Sequence, residues 1–271
     1  MTTVSAGPAG LPSVGELLRD WRRRRRLSQL DLSIQADIST RHLSFVETGR
    51  SRPTPEMIIR LTEQLDVPLR ERNTMLLAGG YAPAYPQHGL DEPELASVRA
   101  ALRRVLAAHE PNPAVLMNRW WEMVDANGAV AALTEGCAPE LLVPPVNVLR
   151  LSLHPDGMAP RIINLPQWRA HLLSQLRRRA EALGDQRLRE LAAELAGYPG
   201  GEDHSVSASD VVLPLRYRVG GRELSFFSIS AVVGTAADVT VEELAIEAFY
   251  PADAATSAAL SGPSAGSLST S

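Results

Sequence analysis

Between positions 29 and 52 the chain carries side chains suited to one kind of chemistry. Thr40, Arg41 and Ser44 are polar groups spaced to share one side of a short helix, and Phe45 adds an apolar group beside them. Such groups fit the edges of stacked bases. A guanidinium forks onto guanine O6 and N7, a hydroxyl takes either partner, and an aromatic ring meets a thymine methyl. Ser39 stands where that helix begins and can cap it. Gln29, Arg50 and Arg52 flank it, and their types suit phosphate oxygens, which fix orientation on a duplex without reading its sequence.

The elements that must hold these groups are legible in the surrounding residues. Ser28 with Asp31 forms a capping box for one short helix, whose apolar side is Leu30, Leu32 and Ala36. The turn Ala36-Asp37-Ile38 leads to Ser39 and a helix over 39–47, with Leu43 and Val46 pointing inward. Ser13 and Glu16 make another capping box, followed by Val14, Leu17, Leu18 and Trp21 at helical spacing. Thr54-Pro55 caps a helix continued by Ile58, Leu61 and Leu65. A fifth helix, 69–78, is stopped by Gly79-Gly80. Arg22 to Arg26 wrap right round their helix, so they read as solvating groups that offset its C-terminal dipole.

This helical segment resembles the phage-repressor-type (XRE, Cro/CI) helix-turn-helix domain. The resemblance rests on Ser28-Gln29, Leu32, Ile38-Ser39, Leu43, Glu47-Thr48-Gly49-Arg50 and Pro53. Ser33 and Asp37 depart from the alanine and glycine usual there, and Asp37 can adopt the left-handed backbone that glycine would supply. The resemblance implies binding to a double-stranded DNA operator. A single short helix reads few base pairs, so a homodimer on a two-fold operator is expected.

The charge distribution agrees. The net charge of the 271 residues is −4, but residues 1–80 hold 12 arginines against 9 carboxylates, whereas residues 81–271 hold 15 against 22. The chain has no lysine, so arginine supplies every charged donor. Its single cysteine, Cys137, excludes an internal disulfide and a CxxC metal knuckle, and it is expected to be inert. No apolar run approaches the ~18 residues of a membrane span, and a soluble, cytoplasmic protein is expected.

The domains expected are 13–80, a proline-rich linker over 81–93, and 94–251, with disordered ends at 1–12 and 252–271. In the second domain a helix over 94–109 precedes a hairpin from the apolar runs 114–117 and 121–125, then a helix over 127–133 capped by Asn127. Two longer helices follow, 166–183 and 185–196. Three strands close the domain: one alternating from Val211 to Val219, then 224–233 and 244–250. The fold class is therefore α+β, a five-stranded antiparallel sheet with helices on one face.

This half resembles the ligand-binding domain of MmyB-like transcription regulators, a PAS-like fold. The resemblance runs through Arg72-Asn73, Leu76 to Pro83, Pro111 to Ala114 and Asn118 to Trp121. It continues in Ala126-Asn127, Asn147 to Leu151, His154 to Gly157, Glu247 to Asp253 and Thr256. It implies a transcription regulator without catalytic activity whose second domain holds a small apolar ligand, a fatty acid being the suggested type. Candidate ligand contacts are Met117, Met123, Asn127, Leu149, Leu215, Phe227, Ile229 and Ile246, and the aliphatic bias suits an acyl chain better than a flat cofactor. No catalytic residue, metal or other cofactor is expected. His154, Asp156 and His171 read as structural, because no third ligand or nucleophile sits at a telling distance. The alternatives are a second domain that only dimerises, or a small enzyme tethered to a DNA-binding module.

Overall fold

The structure is a computed structural model that describes residues 12–205 and 212–261. The expected disorder of residues 1–11 and 262–271 lies outside the described residues. The chain forms two compact units, residues 1–88 with 235–242, and residues 89–234 with 243–271.

The first unit is built on five helices, α1 (Val14–Arg24), α2 (Gln29–Gln35), α3 (Thr40–Glu47), α4 (Pro55–Gln64) and α5 (Leu69–Ala78). Their starts follow the caps: both capping boxes form, and Ser39 and Thr54 accept from the amides of His42 and Met57. Asp37 takes the left-handed backbone at φ +51°, and the chain turns there between α2 and α3. Leu18, Leu32, Leu43, Ile58, Leu61 and Leu65 are fully buried in the core between the helices. Leu30 departs from expectation: it is 57% exposed, because α2 turns Leu32 and Ser33 inward, with Ala36 buried at its C-cap.

Two of the five successive arginines are structural rather than solvating. Arg22 is buried and grips Glu47, and Arg25 donates to the carbonyls of Leu65 and Asp66 beyond the end of α4. The proline-rich segment expected to be a linker packs on the first unit as far as residue 88. Asn73 accepts from the amides of Ala84 and Tyr85 and donates to the Tyr85 carbonyl.

In the second unit a short 3-10 turn (Pro93–Leu95) leads into α6 (Ala96–Ala108), then strands β1 (Ala114–Met117) and β2 (Met123–Ala126). The helical insert follows: α7 (Ala131–Thr134), α8 (Val148–Leu153), α9 (Leu165–Leu183) and α10 (Gln186–Ala196). Next come β3 (Leu215–Val219) and β4 (Arg222–Val232), joined at Gly220-Gly221 with φ +53° and +79°. The chain contributes α11 (Val239–Glu242) to the first unit, where Leu69 donates to the Glu242 carboxylate and Thr240 to the His88 carbonyl. It then completes the second unit with β5 (Ala245–Pro251) and α12 (Ala254–Leu260).

The sheet order is β2-β1-β5-β4-β3, antiparallel throughout. Helices cover both faces rather than the one expected. Leu102 and Leu106 of α6 pack with Leu116 and Ile246 on one side. On the other, α8, α9 and α10 bring Leu149, Trp168, Leu172 and Leu191 against Met117, Leu215 and Phe226. The tail also differs from expectation. Asp253 caps α12, and the buried Thr256 accepts from the Ser225 amide of β4, so residues 252–261 are tied to the sheet.

Candidate nucleic-acid interface and ligand cavity

The end of α3 assembles the first site. Gly49 follows the helix with φ +73°, which an L side chain rarely adopts, and the Arg50 amide donates back to the Phe45 carbonyl at 2.8 Å. That reversal returns Arg50 over the Phe45 ring, with its guanidinium carbon 5.9 Å from the centroid. Arg41, one turn earlier on α3, lies 5.3 Å from the same centroid. Arg41 and Arg50 are exposed, Phe45 and Ser44 half-buried. A ring between two guanidinium groups forms one cationic surface with an apolar centre, the composition that meets base edges and phosphates.

The remaining predicted contacts have work inside the fold. Gln29 Nε2 donates to Glu47 Oε2 at 2.8 Å, joining the pair that Arg22 makes with the same carboxylate at 2.6 Å and 2.8 Å. Burial alone would raise the Glu47 carboxyl, but the Arg22 and Gln29 hydrogen bonds outweigh it and hold the group below its usual range. Thr40 shares a hydrogen bond with Ser33, and the Ser39 hydroxyl is occupied as the cap of α3. Arg52 donates through Nε and a terminal nitrogen to the Gly79 carbonyl and lies over Tyr81, so it caps α5.

The second site is a cavity of about 100 Å³ in the second unit, between the sheet and the helical insert. Met117, Met123, Leu149 and Leu215 line it, together with Leu151, Met158, Leu172 and Phe249. Trp121 supplies part of the wall from a left-handed backbone at φ +59°, uncommon for so bulky a residue. Its ring carries the Arg179 guanidinium at 4.8 Å.

Four predicted contacts lie elsewhere. Ile246 points to the opposite face of the sheet, into the α6 core. Phe227 stacks on Tyr250, its partner across β4 and β5, and Ile229 is 50% exposed. Asn127 makes no helix cap. It accepts from the Ala114 amide and donates to the carbonyls of Leu106 and Asn112, tying α6 to β1.

The polar part of the cavity was not anticipated. His171 stacks on Trp168 at 5.9 Å, and its Nε2 pairs with Gln175 at 2.9 Å. Burial, with help from nearby Arg178, lowers the His171 pKa, so the ring stands neutral at pH 7 and accepts from the Gln175 amide. Trp168 donates to the buried Ser152 hydroxyl at 3.1 Å. The available signal was spacing: His171 and Gln175 lie three and seven residues after Trp168, on one helical side. Glu247 and Ser228 complete the lining from β5 and β4.

Cys137 is buried, and burial raises its thiol pKa despite the Arg161 guanidinium 3.0 Å from Sγ. His154 and Asp156 form a turn, in which the Asp156 amide donates to His154 Nδ1 at 3.1 Å.

Comparisons with known proteins fit this arrangement. The model for the MmyB-like transcription regulator ligand binding domain matches residues 98–261, and that for a helix-turn-helix domain matches residues 13–75. No curated protein matches the chain. Among solved structures, one described as "Structure of an RNA-binding Light-Oxygen-Voltage Receptor" is 15% identical over 89% of this chain, with a TM-score of 0.27. The chain spans 58% of that receptor's length, and a likeness this weak carries no argument. In the described residues no helix is long and apolar enough to cross a membrane. Matched over more than half its length, the chain belongs to the MmyB-like transcription regulators, with a DNA-binding helix-turn-helix domain ahead of a ligand-binding domain.

Proposed function

We propose that the cavity is the effector site, that it takes a small molecule with an aliphatic body, and that occupancy changes affinity for a two-fold operator read by a homodimer. The observation that carries this reading is the cavity itself, walled by Met117, Met123, Leu149, Leu151, Leu215 and Phe249. A well-packed domain of this size has few voids larger than a water molecule. A void of about 100 Å³ is somewhat smaller than the roughly 150 Å³ engineered cavity that admits benzene, so its volume suits a short aliphatic chain. The fatty acids implied by the family resemblance supply such a chain, and flat cofactors do not. Arg41, Ser44 and Phe45 read bases, and Arg50 meets phosphate.

The test is thermal unfolding and operator titration of the full chain with hexanoic to decanoic acids and hexan-1-ol. A ligand at a hundred times its dissociation constant stabilises the native state by ~2.7 kcal/mol. A rise in melting temperature with a changed operator affinity supports the proposal. If no member of the series alters either quantity, the second domain is a dimerisation scaffold instead.

A further inference from the structure

We propose that the ligand's polar end is a cation, a protonated amine on an aliphatic body, received by the carboxylate of Glu247. This rests on the cavity being the effector site and names the head group it takes.

The placement of Glu247 follows from strand register. On β5 it shares a side with Phe249 and Ala245, and it lies directly opposite Val115 of β1. Val115 and Phe249 both line the cavity, so the alternation of the strand turns Glu247 into the same space. Ser228, opposite Phe249 on β4, brings a hydroxyl to the same part of the wall. Among the described residues, neither side chain makes a hydrogen bond or ion pair. Glu247 is half-buried, so its carboxylate stands at the wall of an apolar cavity with no protein cation to pair with. A cation arriving with the ligand would supply that partner through a charge-assisted hydrogen bond.

The rest of the lining points the same way. It contains no arginine, and the chain contains no lysine, so a ligand carboxylate would meet no cation there. Arg179 lies over the Trp121 ring and does not line the cavity. His171, the other titratable group in the wall, is neutral and already accepts from Gln175. A carboxylate head would therefore lie beside a like charge with no cation in the lining to offset it. The same aliphatic wall serves an alkylamine, an alcohol and a fatty acid equally, so the head group decides among them.

The experiment is calorimetric titration of the full chain at pH 7 with three probes of one chain length, hexylamine, hexan-1-ol and hexanoic acid. Hexylamine is expected to bind one-to-one, to be displaced by hexan-1-ol, and to bind at least tenfold more tightly than hexanoic acid. Glu247→Gln keeps the shape and removes the charge. It should weaken hexylamine at least tenfold and leave hexan-1-ol within about threefold, which also reports that the cavity remains formed. Hexanoic acid binding as tightly as hexylamine, or hexylamine binding unchanged by E247Q, overturns the proposal while leaving an apolar effector site standing. If none of the three binds, the effector-site reading falls together with it. The comparison of the three probes on the unaltered protein decides the matter even if the variant fails to fold.

Discussion

At the scale of single residues, the arginines of the DNA-binding domain divide by what they already hold. Arg41 and Arg50 flank Phe45 at the surface, whereas Arg52 is spent on the Gly79 carbonyl and Arg22 on Glu47. Arg41→Ala should cost about 1–3 kcal/mol of operator binding and relax preference at one base position, checked by footprinting and affinity against operator variants. Arg50→Ala should weaken operator and random DNA alike and lower the salt slope by about one unit. Arg52→Ala should leave that slope intact and lower the melting temperature instead, since it removes the cap of α5.

Glu47 gives this domain a pH dependence of known sign. Its carboxyl is held below the usual range in the fold, so the stability it contributes is present above the unfolded value and lost as pH falls through the folded one. Melting temperature should hold from pH 7 to about 5 and then decline. Glu47→Ala should cost about 3–5 kcal/mol by leaving Arg22 buried without its partner, and should remove part of that acid-side slope. A full-chain melting series against pH, with and without the substitution, checks both.

At the scale of elements, α3 is fixed by backbone contact as well as by charge. A Cβ placed on Gly15 of α1 would stand 2.2 Å from the Val46 carbonyl oxygen and 3.2 Å from the Glu47 Cα. Both neighbours are main chain, so no side chain can swing aside. Gly15→Ala should therefore push α3 away from α1, destabilise the domain by about 1–3 kcal/mol and weaken operator binding beyond the share of molecules unfolded. Equal losses of fold and binding would show that α3 keeps its place.

Much of this was legible because caps and turns are local. Ser13, Ser28, Ser39, Thr54 and Asp37 each mark a boundary through a bond or a backbone angle within four residues. The misses required long-range knowledge. The alternation of β5 separates Ile246 from Glu247 onto two faces, but nothing local says that α6 covers one and the cavity opens on the other. Asn127 resembled a cap because a helical turn follows it, yet its partners lie 13, 15 and 21 residues away. The six residues of α8 were too short a run to show a period, and α12 hid in a small-residue tail anchored by one buried threonine.

At the scale of the molecule, cationic charge concentrates on the first domain and acidic charge on the rest of the chain. The acidic remainder is repelled by a polyanion, so contact with DNA is directed to the helix-turn-helix surface. The proposed homodimer would place two such surfaces on half-sites about one helical turn apart, or a multiple of that. Sedimentation at working concentration should give twice the chain mass, and footprints should show two-fold protection. A monomer that binds one half-site with full affinity would remove the dimer from this account.

The partition between Glu47, on the buried side of α3, and the Arg41–Phe45–Arg50 cluster at the surface has a practical consequence for specificity. The groups that position the helix, Gly15, Arg22, Gln29, Ser33 and Glu47, are separate from those that face outward. A new target sequence can therefore be written by exchanging Arg41, Ser44 and Phe45 as a cassette, while Arg50 keeps its phosphate contact and the scaffold beneath keeps its melting temperature. The domain is in this respect a socket with an interchangeable head, and a library randomised at those three positions should yield retargeted regulators without rescue mutations elsewhere.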